Sequence, residues 1–145
     1  MNMKHIYFRA NFNTETGMGH FMRVNRIANY FNKKGFSCNI FLDKKNIEKQ
    51  ISNKIKNKII YLYKNSSNKY NQIDDAKKTI SLMKKDSIIF IDDYRAKLIW
   101  QNELKNKGFK SVKISDFVND RNCSDYIINT KLDFLEKKVV NNYKN

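Results

Sequence analysis

The chain contains no proline, four glycines and two cysteines in 145 residues, and its 14 acidic residues face 29 basic ones. Nowhere do about 18 apolar residues follow one another, which excludes a hydrophobic membrane-spanning helix at the level of sequence. The N-terminus also lacks the basic, apolar and small-residue succession of a secretory signal. A soluble, intracellular protein of cytoplasmic location is therefore expected, with no membrane partner. Cys38 falls inside a predicted strand and Cys123 in a polar loop, without metal-ligand spacing between them, so two unpaired thiols are expected. No Gly-Lys-Ser or Gly-Lys-Thr occurs, and this excludes a P-loop. No linker, internal repeat or low-complexity block divides the chain, so residues 1–145 read as one domain with enough length for a core.

The formal net charge is +15 and the sequence pI is about 9.8. The excess is mostly lysine, is spread over the whole length, and accompanies abundant Asn and Ile, a set of preferences that AT-rich codon usage imposes on any protein. A nucleic-acid surface would instead cluster its charge, favour arginine and interleave aromatics on one face. The charge is therefore read as weak nonspecific attraction to polyanions, with no specific nucleic-acid partner.

What is present is an alternation of short apolar runs and helically spaced ones. His5 to Phe8, Cys38 to Leu42, Ile59 to Tyr63, Ser87 to Asp92, Ser111 to Ile114 and Tyr126 to Asn129 read as strands. Between them, Phe21, Val24, Ile27, Ala28 and Phe31 line one face of a helix that should stop at Gly35. Ile73, Ala76, Ile80 and Met83 define another, and a third runs through Leu98 and Leu104 to Gly108. Weaker helical patterns occur at Asn46 to Ile55 and Leu132 to Tyr143. The alternation predicts an α/β fold, a doubly wound and mostly parallel sheet. In such sheets a ligand crevice lies beyond the carboxyl ends of the strands. The loops carrying His20, Asp92 with Tyr94, and Asp116 all leave those ends, so they can converge.

The stretch from Arg9 to Arg23 joins the first strand to the first helix and holds Gly17, Met18, Gly19 and His20. The first amides of such a helix lack internal partners and favour anionic or electron-rich ligands. A dinucleotide fingerprint is set aside because Met22 occupies the third glycine position and the glycines come too late after the strand. Asp43 nonetheless ends the second strand where a ribose-binding acid would sit. His20 reads either as a structural histidine or as a general base, its imidazole kept neutral by the positive potential of the helix N-terminus. Asp92 could orient that ring, bind sugar hydroxyls or cap the next helix, and Tyr94 is a ligand contact or a partly buried loop aromatic. Arg9 and Arg23 flank the glycine loop as holders of a carboxylate or phosphate, or as ordinary surface arginines.

Taken in order, these residues resemble a family. Arg9-Ala10-Asn11, followed by Thr16-Gly17-Met18-Gly19-His20-Phe21-Met22-Arg23, is similar to the Arg-x-Asp/Asn … Ile-Gly-x-Gly-His-x-x-Arg opening of the UDP-2,4-diacetamido-2,4,6-trideoxy-β-L-altropyranose hydrolases. This is the PseG family of pseudaminic acid biosynthesis, related to GT-B glycosyltransferases of the MurG type. Asp92-Asp93-Tyr94 resembles its Asp-x-Tyr, and Ser115-Asp116-Phe117 through Asn122-Cys123-Ser124-Asp125-Tyr126-Ile127-Ile128-Asn129 resembles its Asp-Asp-(loop)-His-x-Cys-Asp-Leu-Leu-Leu-Asn segment. The resemblance implies the Rossmann-like N-terminal half of a GT-B architecture. It also implies a metal-independent hydrolase without cofactor, in which His20 activates water against the anomeric carbon of a UDP-linked amino sugar and UDP leaves. Asp92 and Tyr94 would place sugar or water, while Arg9, Asn11, Gly17, Met18, Gly19, Arg23 and Asp116 would contact substrate. Ser115, Asn11, Thr16 and Asp93 depart from the family pattern.

In that family a second α/β domain carries the UDP site, and the 145 residues correspond to the first domain. The expectation is a half-enzyme that binds UDP weakly and turns over its sugar nucleotide slowly or not at all unless a separate UDP-binding polypeptide supplies the other half. The alternative expectation is a noncatalytic or split GT-B half that binds a partner or a sugar.

Overall fold

A computed structural model of the chain describes residues 4–12, 18–43, 55–63, 69–117 and 121–130. The strands are β1 (His5–Ala10), β2 (Ser37–Leu42), β3 (Lys58–Tyr61), β4 (Ile88–Asp92), β5 (Lys110–Ser115) and β6 (Tyr126–Asn129). The helices among the described residues are α1 (Gly19–Lys33), α2 (Gln72–Ser81) and α3 (Leu98–Asn106). The strands form one sheet in the order β3-β2-β1-β4-β5-β6, with every pair parallel. This is the doubly wound, Rossmann-like order, which reverses direction between β1 and β4. The expected α/β class is therefore present, with a sheet that is wholly parallel among the described residues. The patterns at Asn46 to Lys54 and Leu132 to Tyr143, and the loop from Asn13 to Gly17, lie outside those residues.

Strand character follows from two-sided burial. β4 and β1 lie at the centre, covered on both faces, and are apolar almost throughout. Even-numbered residues of β1 (Ile6, Phe8, Ala10) pack with Phe21, Val24 and Ala28 of α1. Tyr7 packs on the other face with Ala76 of α2 and with Trp100 and Leu104 of α3. The helices after β1 and β4 thus leave on opposite sides, which opens a crevice where the two loops part.

Two helices stop as their glycines foretell. Gly35 (φ +87°) follows α1, with the Phe36 N–H on the Phe31 carbonyl at 3.1 Å, and Gly108 (φ +77°) follows α3, with the Phe109 N–H on the Leu104 carbonyl at 3.1 Å. Both are left-handed residues just beyond a helix, where a side chain would be strained. α2 begins on Asn71, whose Oδ1 accepts from the N–H groups of Ile73 (2.9 Å) and Asp74 (3.1 Å).

Candidate functional site

The site begins with the end of β4. Register pairs Asp92 with Ala10 of β1, so this aspartate sits at the crevice and is fully buried. Asp92 and Asp93 serve opposite faces, continuing the alternation of a strand. The Asp92 carboxylate turns toward α1, where its Oδ1 lies 2.7 Å from His20 Nδ1. Arg23, one turn further along α1, donates to both oxygens of the same carboxylate, from Nε to Oδ2 and from Nη2 to Oδ1, each at 2.6 Å. The helical spacing of His20 and Arg23 puts both side chains on one face, so a single buried acid holds the two of them.

The next carboxylate comes from the end of β5. Asp116 accepts from Arg23 Nη1 at 2.8 Å, from the Tyr94 hydroxyl at 2.5 Å, and from Thr130 Oγ1 just beyond β6. Tyr94, on the loop after β4, sets its ring perpendicular to the His20 imidazole at 4.5 Å between centroids. Phe117 continues the aromatic wall at 5.1 Å from Tyr94. Tyr94 is 36 % exposed, Phe117 52 % and Met18 39 %, which leaves an apolar rim around a nearly buried histidine.

These contacts dictate proton positions. A carboxylate only accepts, so His20 Nδ1 carries the hydrogen toward Asp92. Arg23 Nη2 lies 3.3 Å from the same nitrogen, but two donors cannot bond each other, and the shorter contact to an anion decides. Nε2 takes no partner among the described residues and holds the lone pair in that tautomer. The hydrogen bonds from Arg23 hold Asp116 well below the ordinary carboxylate range, and the bonds it donates to Asp92 and Asp116 raise Arg23 above the usual guanidinium value. Burial, and then the bond to Asp116, pushes the Tyr94 phenol up to about 12, so at neutral pH it remains a donor.

No family model, curated protein or solved structure matches the chain.

Of the sequence-predicted residues, His20, Asp92, Tyr94, Arg23 and Asp116 come together in one cluster. Arg23 is not an open anion holder, because its guanidinium is spent on two carboxylates. Gly19 borders open space, since a Cβ built there meets nothing within 4 Å. Gly17 lies outside the described residues. Asn11 is buried at the end of β1, and its Oδ1 has no hydrogen-bond partner among the described residues.

Arg9 requires a correction. It is an interior residue on the far face of the sheet, fully buried, donating from Nε and Nη2 to Asp75 at 3.0 and 2.9 Å and from Nη1 to the Ala10 carbonyl at 2.7 Å. Asp43 pairs with both Arg9 and Arg95, so its place after β2 serves an ion cluster in which no ribose need take part. Burial alone would raise Asp43 and Asp93, but Arg95 and Arg9 outweigh it and hold both low. The carboxylates in turn raise Arg9 well above its usual value against the opposing effect of burial. Asp93, Asp75 and Arg95 belong to this ion cluster and Thr130 to the His20 site without any motif that marks them. A charged residue inside an apolar run, such as Arg9 between Phe8 and Ala10, was the available signal, because a charge in a central strand must be paired.

A hollow of about 420 Å³ lies on the same far face, lined by Tyr70, Asn71, Gln72, Ile73, Arg95, Lys97 and Ile99. None of the residues around His20 lines it.

Proposed function

We propose that the chain is the sugar-side half of a sugar-nucleotide hydrolase of the PseG type, in which His20 is the general base. His20 Nε2 takes a proton from water as the water oxygen bonds the anomeric carbon; the bond from that carbon to the diphosphate oxygen breaks, and UDP leaves with the electron pair. Asp92 fixes the tautomer and orientation of the imidazole and offsets its charge once protonated, as a buried carboxylate does for a base histidine. Tyr94 and Phe117 offer an apolar wall to the sugar. The observation that carries this reading is the 2.7 Å bond from His20 Nδ1 to a buried aspartate, with the other ring nitrogen unengaged among the described residues. The ordered motifs that resemble the family supply the substrate class.

The test is release of UDP from a UDP-diacetamido-trideoxy sugar by the chain together with any UDP-binding partner polypeptide encoded beside it. His20→Ala is expected to lower kcat by about 10²–10⁴, the usual contribution of a positioned base. Release that is indifferent to His20→Ala overturns the reading and leaves a noncatalytic half-domain that binds a partner or a sugar.

A further inference from the structure

Lys113 lies in the middle of β5, opposite Ile91 in register, and is only 2 % exposed. Its neighbours Val112 and Ile114 face α1, so its own side chain runs along the other face, beneath α3. There its Nζ donates to the carbonyl of Asp93 at 2.9 Å and lies 3.4 Å from that of Ala96. These two carbonyls bound the turn between β4 and α3. The Ala96 N–H also bonds the Asp93 carbonyl at 3.2 Å, and Gln101 Nε2 donates to the Ala96 carbonyl at 3.0 Å. The turn so gripped carries Tyr94, whose ring stands against His20 and whose hydroxyl reaches Asp116.

We propose that Lys113 is a positioning residue: from the face of the sheet opposite His20, its ammonium clamps the Asp93–Ala96 turn and thereby sets Tyr94 edge-on to the imidazole. A buried ammonium is costly unless its hydrogens are taken, and backbone carbonyls turned inward are costly for the same reason. Each therefore satisfies the other, and the turn has one favoured shape. With an apolar side chain at 113, the Asp93 and Ala96 carbonyls lose a donor and the turn relaxes outward, carrying Tyr94 with it. The catalytic consequence rests on the proposed function, but the geometric claim does not.

The experiment follows the His20 Cε1–H resonance by NMR in the full chain, since an aromatic ring 4.5 Å away displaces it. Lys113→Met, close to lysine in volume, should move that resonance as far as Tyr94→Leu does. The double variant should move it no further, because residues that act through one another do not add. Lys113→Arg, which keeps a cationic donor, should hold the resonance near its wild-type position. In the hydrolysis assay, Lys113→Met should lower kcat by about tenfold to a hundredfold, the scale of a small misplacement in a site, and leave KM within about twofold. A folded Lys113→Met protein with an unmoved His20 resonance overturns the proposal, as does a double variant that shows full additivity. Should Lys113→Met not fold, Lys113→Gln, with a shorter N–H donor, is judged by the same readings. Absence of hydrolysis in the wild-type protein defeats the functional reading alone and leaves the resonance test standing.

Discussion

At the scale of single residues, the chemistry of this protein depends on which charges are paired and which atom is left over. Arg23 and Arg9 have similar sequence surroundings, each close to the glycine loop, yet they end on opposite faces of one sheet. Arg23 binds two carboxylates beside His20. Arg9 binds Asp75 and Asp43, with Asp93 at 3.6 Å, in the interior. An unpaired buried charge costs more than a missing bond, so Arg9→Met should destabilise the fold by about 3–5 kcal/mol by taking the guanidinium from buried Asp75 and leaving Asp43 and Asp93 to Arg95. Arg9→Lys should recover only part of this, because an ammonium cannot reproduce the fork that meets both Asp75 oxygens. Urea unfolding measures both, and a loss below about 1 kcal/mol for Arg9→Met would contradict the pairing described.

At the scale of elements, carboxylates act as ties. Asp116 joins α1 through Arg23, the turn after β4 through Tyr94, and the end of β6 through Thr130. Asp43 and Asp93 bind the loop after β2 to that after β4 through Arg95. All three acids are depressed in the folded chain. A depressed carboxyl stabilises the fold fully above its unfolded pKa, about 3.9, and this contribution drains away as pH falls toward the folded value. The thermal midpoint should accordingly change little on their account between pH 7 and about pH 5, and fall steeply below about pH 4. Asp116→Asn should flatten part of that acid limb, and a midpoint unaltered down to pH 3 in the parent chain would refute the linkage. A second tie is made of amides. Asn57 Nδ2 donates to Asn25 Oδ1 at 2.6 Å and to Asn29 Oδ1 at 2.8 Å, fastening the segment before β3 to α1.

At the scale of the whole molecule, the parallel order puts every strand's carboxyl end on one edge, and the reversal between β1 and β4 decides where on that edge the site lies. No described helix is long and apolar enough to cross a membrane. Among the described residues, the crevice presents carboxylates whose oxygens are taken and an arginine that is neutralised, so these offer a diphosphate little beyond the first amides of α1. A polypeptide of residues 1–145 alone is therefore expected to bind UDP more weakly than micromolar, and to gain affinity when a UDP-binding partner is supplied. Calorimetry that finds micromolar UDP binding by these residues alone would overturn this expectation.

Much of this is legible in the amino-acid sequence. The apolar runs mark six strands whose ends shift by only a residue or two, because continuous β-branched and aromatic stretches have few other uses in a short chain. Gly35 and Gly108 mark helix ends because they take a backbone conformation that side chains resist. His20, Asp92, Tyr94 and Asp116 could be proposed as one cluster because all follow strands of a parallel sheet. What sequence could not convey is face. Arg9 and Arg23, or Asp92 and Asp93, differ in role only through the side of the sheet on which each side chain emerges. That side follows from strand register and from where each helix packs. Pairings such as Arg9 with Asp75, or Lys113 with the turn beneath Tyr94, join residues far apart along the chain. Only the packed structure brings those partners together, because the burial that makes them obligatory exists nowhere else.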